Sequence, residues 1–171
     1  SRVLLPTMIR DWQSRWGQGA FAFGMVQPAP FLCDRWPKQQ NDAYALQREA
    51  QILVLDQIPR TGVAATMDIG DLDELHFTNK QAVAQRLANW ALATEYQENV
   101  KYTGPIYKSM SIENNRIRIR FSHAAEGLGT SDGLAPTHFT IAGSDRKFHP
   151  AVAVIDGKTV WVQADQVAQP V

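Results

Sequence analysis

The sequence predicts an α/β domain with a doubly wound parallel sheet, followed by a portion of antiparallel β-structure. Over residues 1–100, amphipathic helical segments alternate with short apolar runs in the order helix–strand–helix–strand–helix. This order of elements is typical of helices packed on a parallel sheet. Over residues 101–171, short apolar runs are separated by turn residues, as in an antiparallel β-sandwich or half of one. We therefore expect two domains, 1–100 and 101–171.

Hydrophobic spacing and helix-breaking residues define the elements of the first domain. Helices are predicted over residues 6–16, 42–58 and 79–96, and strands over 21–26 and 62–67. Apolar residues recur at helical spacing in the helices, Pro59 closes the second helix, and Thr78 or Asn79 can cap the third. Trp12, Trp16 and Trp90 fall on the apolar faces of their helices, so we expect them in the core.

The second domain is predicted from short apolar runs and their turns. A hairpin is expected from strands at 107–112 and 116–121 around Asn114-Asn115, because such a two-residue loop favours a tight turn. Further strands are predicted at 139–142, 151–155 and 159–162, the last two joined across Asp156-Gly157. These strands are short and alternate with turns, as in antiparallel sheets.

Charge and composition exclude several classes of protein. Seventeen basic residues balance seventeen acidic ones, which argues against a broad surface for nucleic acid or anionic lipid. Arg116, Arg118 and Arg120 alternate with apolar residues, which favours the solvated face of a half-buried strand over a polyanion site. Cys33 is the only cysteine, so an internal disulfide is excluded. No run approaches the roughly 18 apolar residues of a membrane helix.

A dense group of titratable residues follows the second predicted strand. Four acidic side chains and a histidine occur between Asp68 and His76, where ligands bind in open α/β sheets. A carboxylate three residues before a histidine, as Asp73 is before His76, can accept the Nδ1 proton and leave Nε2 free as a general base. The alternatives are loop and capping acids beside a surface histidine, or a metal site. The metal site is disfavoured because no further histidine lies nearby in the sequence.

Several segments, taken in order along the chain, resemble the sialate O-acetylesterase family. They are Arg10-Asp11-Trp12, Arg15-Trp16-Gly17-Gln18-Gly19, the run 23–27, Arg48-Glu49-Ala50-Gln51, Thr61-Gly62-Val63-Ala64, Asp68-Ile69-Gly70-Asp71 with His76 and Asn79-Lys80, and the run 102–110. The series spans nearly the whole chain. The resemblance implies part of a three-layer α/β/α SGNH (GDSL-like, flavodoxin-like) hydrolase domain followed by an antiparallel β-sandwich portion.

The resemblance also implies an activity and its residues. Asp73 and His76 match the family's triad aspartate and histidine, which work with a serine nucleophile. The implied reaction is hydrolysis of O-acetyl esters on sialic acid or similar sugars, without a cofactor or metal, and the implied compartment is secreted, periplasmic or lysosomal. Gln27, at the end of a predicted strand, and Arg48, with its neighbours Glu49 and Gln51, are candidates for substrate binding.

The family's serine and oxyanion-hole motifs are absent from the sequence. None of the serines in this sequence lies in a motif of that kind. Ser144, in Gly143-Ser144-Asp145, is interpreted as a turn residue. We therefore expect the nucleophile to come from an upstream segment or a companion chain. Alternatives are an acetyl xylan or related polysaccharide esterase, and a non-catalytic carbohydrate-binding or structural module. Trp36, in a loop, is a further candidate, for sugar stacking.

Overall fold

The computed structural model describes residues 1–31 and 39–171, so Cys33 and Trp36 lie outside the described residues. The chain divides into two compact units, Ser1–Tyr102 and Thr103–Val171. We call them unit 1 and unit 2. The described residues contain no helix that is both long enough and apolar enough to cross a membrane.

Unit 1 alternates helices and strands, as the sequence predicts. Its elements are α1 (Leu4–Trp16), β1 (Phe23–Val26), α2 (Gln39–Gln57), β2 (Thr61–Ala64) and α3 (Lys80–Thr94). β1 and β2 are parallel, in a register that runs from Phe23 opposite Thr61 to Val26 opposite Ala64. The mixed α/β class is thus confirmed, with a two-stranded parallel sheet in the described part of unit 1.

Helices cover both faces of this strand pair. On one face, Met25 of β1 joins Ile9 of α1 and Val54 of α2 in an apolar core. On the other face, a Cβ atom at Gly62 would lie only 2.1 Å from the ring of Trp90 of α3. Glycine is therefore required at Gly62, because the indole of Trp90 occupies the space where a side chain would stand.

The prediction that Trp12 and Trp16 are core residues is wrong, whereas Trp90 is buried. Trp12 is 41% and Trp16 is 62% exposed, although Ile9 on the same helix is fully buried. The spacing of Ile9, Trp12 and Trp16 places all three on one face of α1. Periodicity therefore identified the apolar face correctly. Its carboxyl-terminal half is only partly covered, by the contacts of Trp12 with Phe23 and of Trp16 with Phe21.

Unit 2 is antiparallel β-structure, as the sequence predicts. Its strands are β3 (Ile106–Glu113), β4 (Arg116–Ser122), β5 (Thr140–Ala142), β6 (Phe148–Pro150), β7 (Val152–Asp156) and β8 (Thr159–Gln163). One sheet has the order β3-β4-β8-β7, and β5 pairs with β6. The side chains of Ile117, Val160 and Val162 from the larger sheet share a core with Ile141 of β5.

The arginines of β4 are engaged by neighbouring side chains of the large sheet. Arg118 bonds to Glu113 and Asp156 at 3.1 Å each, and its guanidinium lies 3.5 Å from the ring of Trp161. Arg116 stacks on the same ring at 3.7 Å. Acids and an aromatic ring thus already contact this row, which supports a solvated face over a polyanion site.

Candidate active site

The carboxyl ends of β1 and β2 are joined by buried hydrogen bonds. The N–H of Gln27 donates to the carbonyl of Ala64 at 3.0 Å, and the hydroxyl of Thr66 donates to the carbonyl of Gln27 at 2.8 Å. Thr66 is fully buried and Gln27 is 8% exposed. These hydrogen bonds therefore fix the ends of the two strands relative to each other, at the point where the following loops begin.

Three polar side chains gather at the end of β1. Gln27 donates through Nε2 to the carbonyl of Arg48 at 3.3 Å, and Arg48 donates through Nε to the carbonyl of Pro28 at 2.9 Å. Gln51 donates to the carbonyl of Val26 at 2.9 Å. Burial lowers the pKa of Arg48, with a smaller opposing effect from Tyr44. The structure thus brings the two predicted binding residues, Gln27 and Arg48, together.

The loop after β2 is fixed at its start by an ion pair. Arg86 of α3 donates from Nη1 to Asp68 Oδ1 at 2.7 Å and from Nη2 to Oδ2 at 2.6 Å, and Nη1 also reaches the carbonyl of Ala65 at 2.5 Å. The pKa of Asp68 lies below its ordinary value, chiefly because Arg86 donates hydrogen bonds to its carboxylate. A two-point contact of this kind fixes orientation as well as distance.

The same loop packs against the segment that follows β1. A Cβ atom at Gly70 would lie 2.6 Å from Cδ of Pro30 and 2.9 Å from Cβ of Ala29. Only glycine permits this close approach. The chain after β1 and the chain after β2 therefore meet at Gly70.

Asp73 and His76 lie farther along this loop, and both are exposed. The N–H of Asp73 donates to Asp71 Oδ1 at 2.9 Å, and the N–H of His76 donates to Glu74 Oε1 at 2.8 Å. Among the described residues, no hydrogen bond joins the Asp73 carboxylate to the His76 ring. The structure places the two residues on one loop without forming the expected pair, and catalytic contacts often tighten only when substrate binds.

The residue after His76 anchors the loop to the unit. Phe77 is 7% exposed, and the ammonium of Lys80 lies 3.9 Å from its ring centroid. Asn79 caps α3 by accepting the N–H of Ala82 at 3.2 Å. His76 thus directly precedes the buried ring that anchors the loop ahead of α3, and His76 itself is exposed.

This arrangement can supply an accessible base and several hydrogen-bonding groups. The described residues contain no cluster of three or more His, Cys, Asp or Glu side chains arranged for a metal ion. The roles of Thr66 and Arg86 were not predicted from the sequence. Thr66 looked like part of an apolar strand, and the pairing of Arg86 with Asp68 spans eighteen positions, so no local pattern indicated either.

A solved structure resembles the chain over nearly its whole length. It is a carbohydrate acetylesterase from Xanthomonas citri, with 38% sequence identity, 99% of this chain covered and a TM-score of 0.90. The chain spans about two fifths of that protein, since the match covers 39% of its length. No model of a known protein family and no curated protein matches the chain.

Proposed function

We propose that the chain is part of a serine carbohydrate esterase and supplies its catalytic Asp73 and His76. The observation that carries the proposal is the similarity to a carbohydrate acetylesterase across 99% of the chain at 38% identity. The polar groups at the carboxyl ends of two parallel strands agree with it, because ligands of open α/β sheets bind there. Unit 1 would then belong to a three-layer SGNH hydrolase domain.

In the proposed reaction, His76 acts as the general base toward a serine that another polypeptide segment carries. His76 removes the hydroxyl proton as the serine oxygen attacks the acetyl carbonyl, and the same proton passes to the departing sugar oxygen. Water, activated by His76, then attacks the acetyl-serine and releases acetate. Asp73 would orient the imidazole and stabilise its protonated form.

The proposed substrate is an O-acetylated sugar, with sialic acid as the first candidate. Gln27 and Arg48, which meet at the carboxyl end of β1, would bind the sugar portion. An acetylated polysaccharide such as acetyl xylan is the second candidate. The solved relative is a carbohydrate acetylesterase, which agrees with either candidate.

The proposal is tested in a complex that contains the chain and the segment bearing the serine. His76→Ala should lower kcat by about 10³-fold or more, and Asp73→Asn should lower it substantially, with KM little changed. His138→Ala, a histidine in unit 2, is the control and should leave kcat unchanged. Unaltered turnover in His76→Ala would instead support a non-catalytic module.

The division of the site between two segments has its own test. The purified chain alone should not hydrolyse 4-nitrophenyl acetate in a manner that depends on His76. His76-dependent hydrolysis by the chain alone would show that the nucleophile lies within it.

A further inference from the structure

A cavity of about 300 Å³ lies within unit 2. One of its walls is the turn that joins β5 to β6, and the other wall is the segment that follows β8. Its volume is at the lower end of the range for small-ligand sites, about 300–1,000 Å³. The cavity is therefore large enough for one small ring with its substituents.

Backbone contacts hold the two walls of this cavity together. Gly143 pairs with Pro170 in an antiparallel bridge, and the N–H of Val171 donates to the carbonyl of Ala142 at 3.1 Å. Val167 lines the cavity, is 5% exposed and belongs to the apolar core of unit 2. The second wall is thus attached both to β5 and to the core, so the cavity is formed before any ligand binds.

The turn between β5 and β6 is shaped by its own hydrogen bonds. The N–H of Arg146 donates to the carbonyl of Gly143 at 2.9 Å, and the N–H of Lys147 donates to Asp145 Oδ1 at 3.1 Å. The carboxylate of Asp145 is therefore oriented by the turn that carries it. A Cβ atom at Gly143 would lie 3.3 Å from the carbonyl oxygen of Gln169, so the absence of a side chain at Gly143 keeps this space open.

Polar side chains of several kinds line the cavity. They are the hydroxyl of Ser144, the carboxylate of Asp145, the imidazole of His149 and the amides of Gln166 and Gln169. Hydroxyl, amide and neutral imidazole groups both donate and accept hydrogen bonds, and a carboxylate accepts them. Each hydroxyl of a sugar also donates and accepts, so a sugar ring can pair with this lining without leaving polar groups unsatisfied.

The same lining disfavours other classes of ligand. A metal ion is disfavoured because no three His, Cys, Asp or Glu side chains of the described residues are arranged to hold one. An anion is disfavoured because Asp145 lines the cavity, whereas no Arg or Lys of the described residues does. An apolar ligand would leave the polar groups of the lining unpaired. A neutral sugar is the class that remains.

The exposure of the turn suits a chain of sugars rather than a single one. Ser144 and Asp145 line the cavity and are both exposed, so the cavity opens to solvent at the turn. A sugar unit bound inside can therefore stay linked to further units outside.

We propose that the cavity of unit 2 binds one sugar unit of a neutral oligosaccharide or polysaccharide. The inference rests on the proposed function for one point, that this carbohydrate is also the substrate of the esterase. It favours a neutral acetylated polysaccharide over sialic acid, which carries a carboxylate, as that substrate. Binding of a non-reacting unit strengthens the ground state and the transition state alike, so the site lowers KM and leaves kcat unchanged.

A nuclear magnetic resonance titration of the chain is the first test. The probes are xylohexaose, cellohexaose and mannohexaose, with N-acetylneuraminic acid as the charged comparison. At least one hexasaccharide should bind with a Kd of about 1 mM or tighter and shift the backbone amides of residues 143–149 and 166–169. The charged sugar should bind at least about tenfold more weakly. Failure of all three hexasaccharides to shift these amides, or a preference for the charged sugar, overturns the proposal.

Matched substitutions are the second test. His149→Ala removes a hydrogen-bonding group from the cavity, and Ala168→Trp fills the cavity from its other wall. Each should weaken binding of the hexasaccharide at least about tenfold. Ala168 is exposed, so Ala168→Trp leaves the core in place and tests the site even where His149→Ala impairs folding. His138→Ala is the control, because His138 is an exposed histidine of unit 2 that does not line the cavity, and equal affinities in all three variants would overturn the proposal.

Steady-state kinetics separate this site from the proposed catalytic function. In the complex that contains the serine-bearing segment, the substrate is the acetylated polysaccharide of the sugar that binds. Ala168→Trp should raise KM at least about threefold with kcat unchanged, and should not alter turnover of 4-nitrophenyl acetate, which has no sugar. An unchanged KM would refute the link between the cavity and the substrate. Sugar binding at the cavity in a complex without esterase activity would instead refute the proposed function and leave the binding site standing.

Discussion

Arg86 and Asp68 form a two-point ion pair that ties α3 to the loop after β2, at 2.7 and 2.6 Å. The guanidinium is the more buried partner, with 31% of its side chain exposed against 65% for Asp68. Since Arg86 also bonds the carbonyl of Ala65, one side chain holds both the end of the strand and the first acid of the loop. Loss of Arg86 should therefore release the loop that carries Asp73 and His76.

Arg86→Ala should destabilise unit 1 by about 1 kcal/mol, a value kept small because Asp68 is largely exposed. Urea unfolding followed by helical circular dichroism measures it, because α1, α2 and α3 all belong to unit 1. Arg15→Ala is the control. It breaks an exposed pair with Asp11 within α1 and should have a smaller effect. An equal effect would show that the contacts of Arg86 have no special role.

The same pair predicts a pH dependence of stability. The pKa of Asp68 in the folded chain lies below its ordinary value of 3.8, chiefly because of the hydrogen bonds from Arg86. The contribution of the pair is therefore complete above pH 3.8 and is lost as the pH falls through the folded value. Asp68→Asn should therefore reduce the loss of unit 1 stability at acid pH. Urea unfolding midpoints across a pH series measure this loss.

Local periodicity predicted the helices and most strands, because each depends on neighbours in sequence. The hairpin at Asn114-Asn115 formed as predicted, and Asn114 has the positive φ of 60° that such a turn requires. β6 was missed because it has only three residues and ends in Pro150. A proline cannot donate to a sheet, so it is usually read as a breaker.

Local sequence patterns could not predict the exposure of side chains or the pairing of residues that are far apart in the sequence. Trp12 and Trp16 lie on the face that periodicity assigned to the core, but burial depends on what covers that face. The contact between Asp73 and His76 depends on loop geometry and is not formed in the structure, so the catalytic role of the pair remains a prediction. The gathering of Gln27 and Arg48 required the packing of β1 against α2, which no single segment encodes.

Gly62→Ala should destabilise unit 1 strongly. Its new Cβ would lie between 2.1 and 2.3 Å from three atoms of the Trp90 ring, so the indole or the strand must move. Overpacking of this kind costs about 1–3 kcal/mol or more. Gly104→Ala is the control, because no atom lies within 4 Å of the position that its Cβ would take. Thermal unfolding of both variants would contradict the argument if the midpoints shifted equally.

Asp156 should make unit 2 sensitive to acid. The hydrogen bond from Trp161, followed by that from Arg118, lowers the pKa of Asp156 below 3.8. The stabilisation is present above that pH and lost as the pH falls through the folded value. Asp156→Asn should therefore reduce the loss of unit 2 stability between neutral and acid pH, followed by hydrogen exchange of the β4 and β8 amides, because four of the five tryptophans lie in unit 1. Lys158→Gln changes a charge in the same turn and should leave that dependence in place.

The buried hydroxyl of Thr66, where the ends of β1 and β2 meet, should contribute measurably to the free energy of unfolding of unit 1. Thr66→Val removes the donor to the carbonyl of Gln27 at a fully buried position. The expected cost is about 1–3 kcal/mol, because water cannot replace the lost bond. Thr7→Val is the matched control, since its hydroxyl donates to the carbonyl of Val3 at the same 2.8 Å on the exposed surface of α1. Thr66→Ser should retain most of the stability because it keeps the hydroxyl. Urea unfolding that ranked Thr7→Val as equally costly would mean that burial of the Thr66 bond adds nothing.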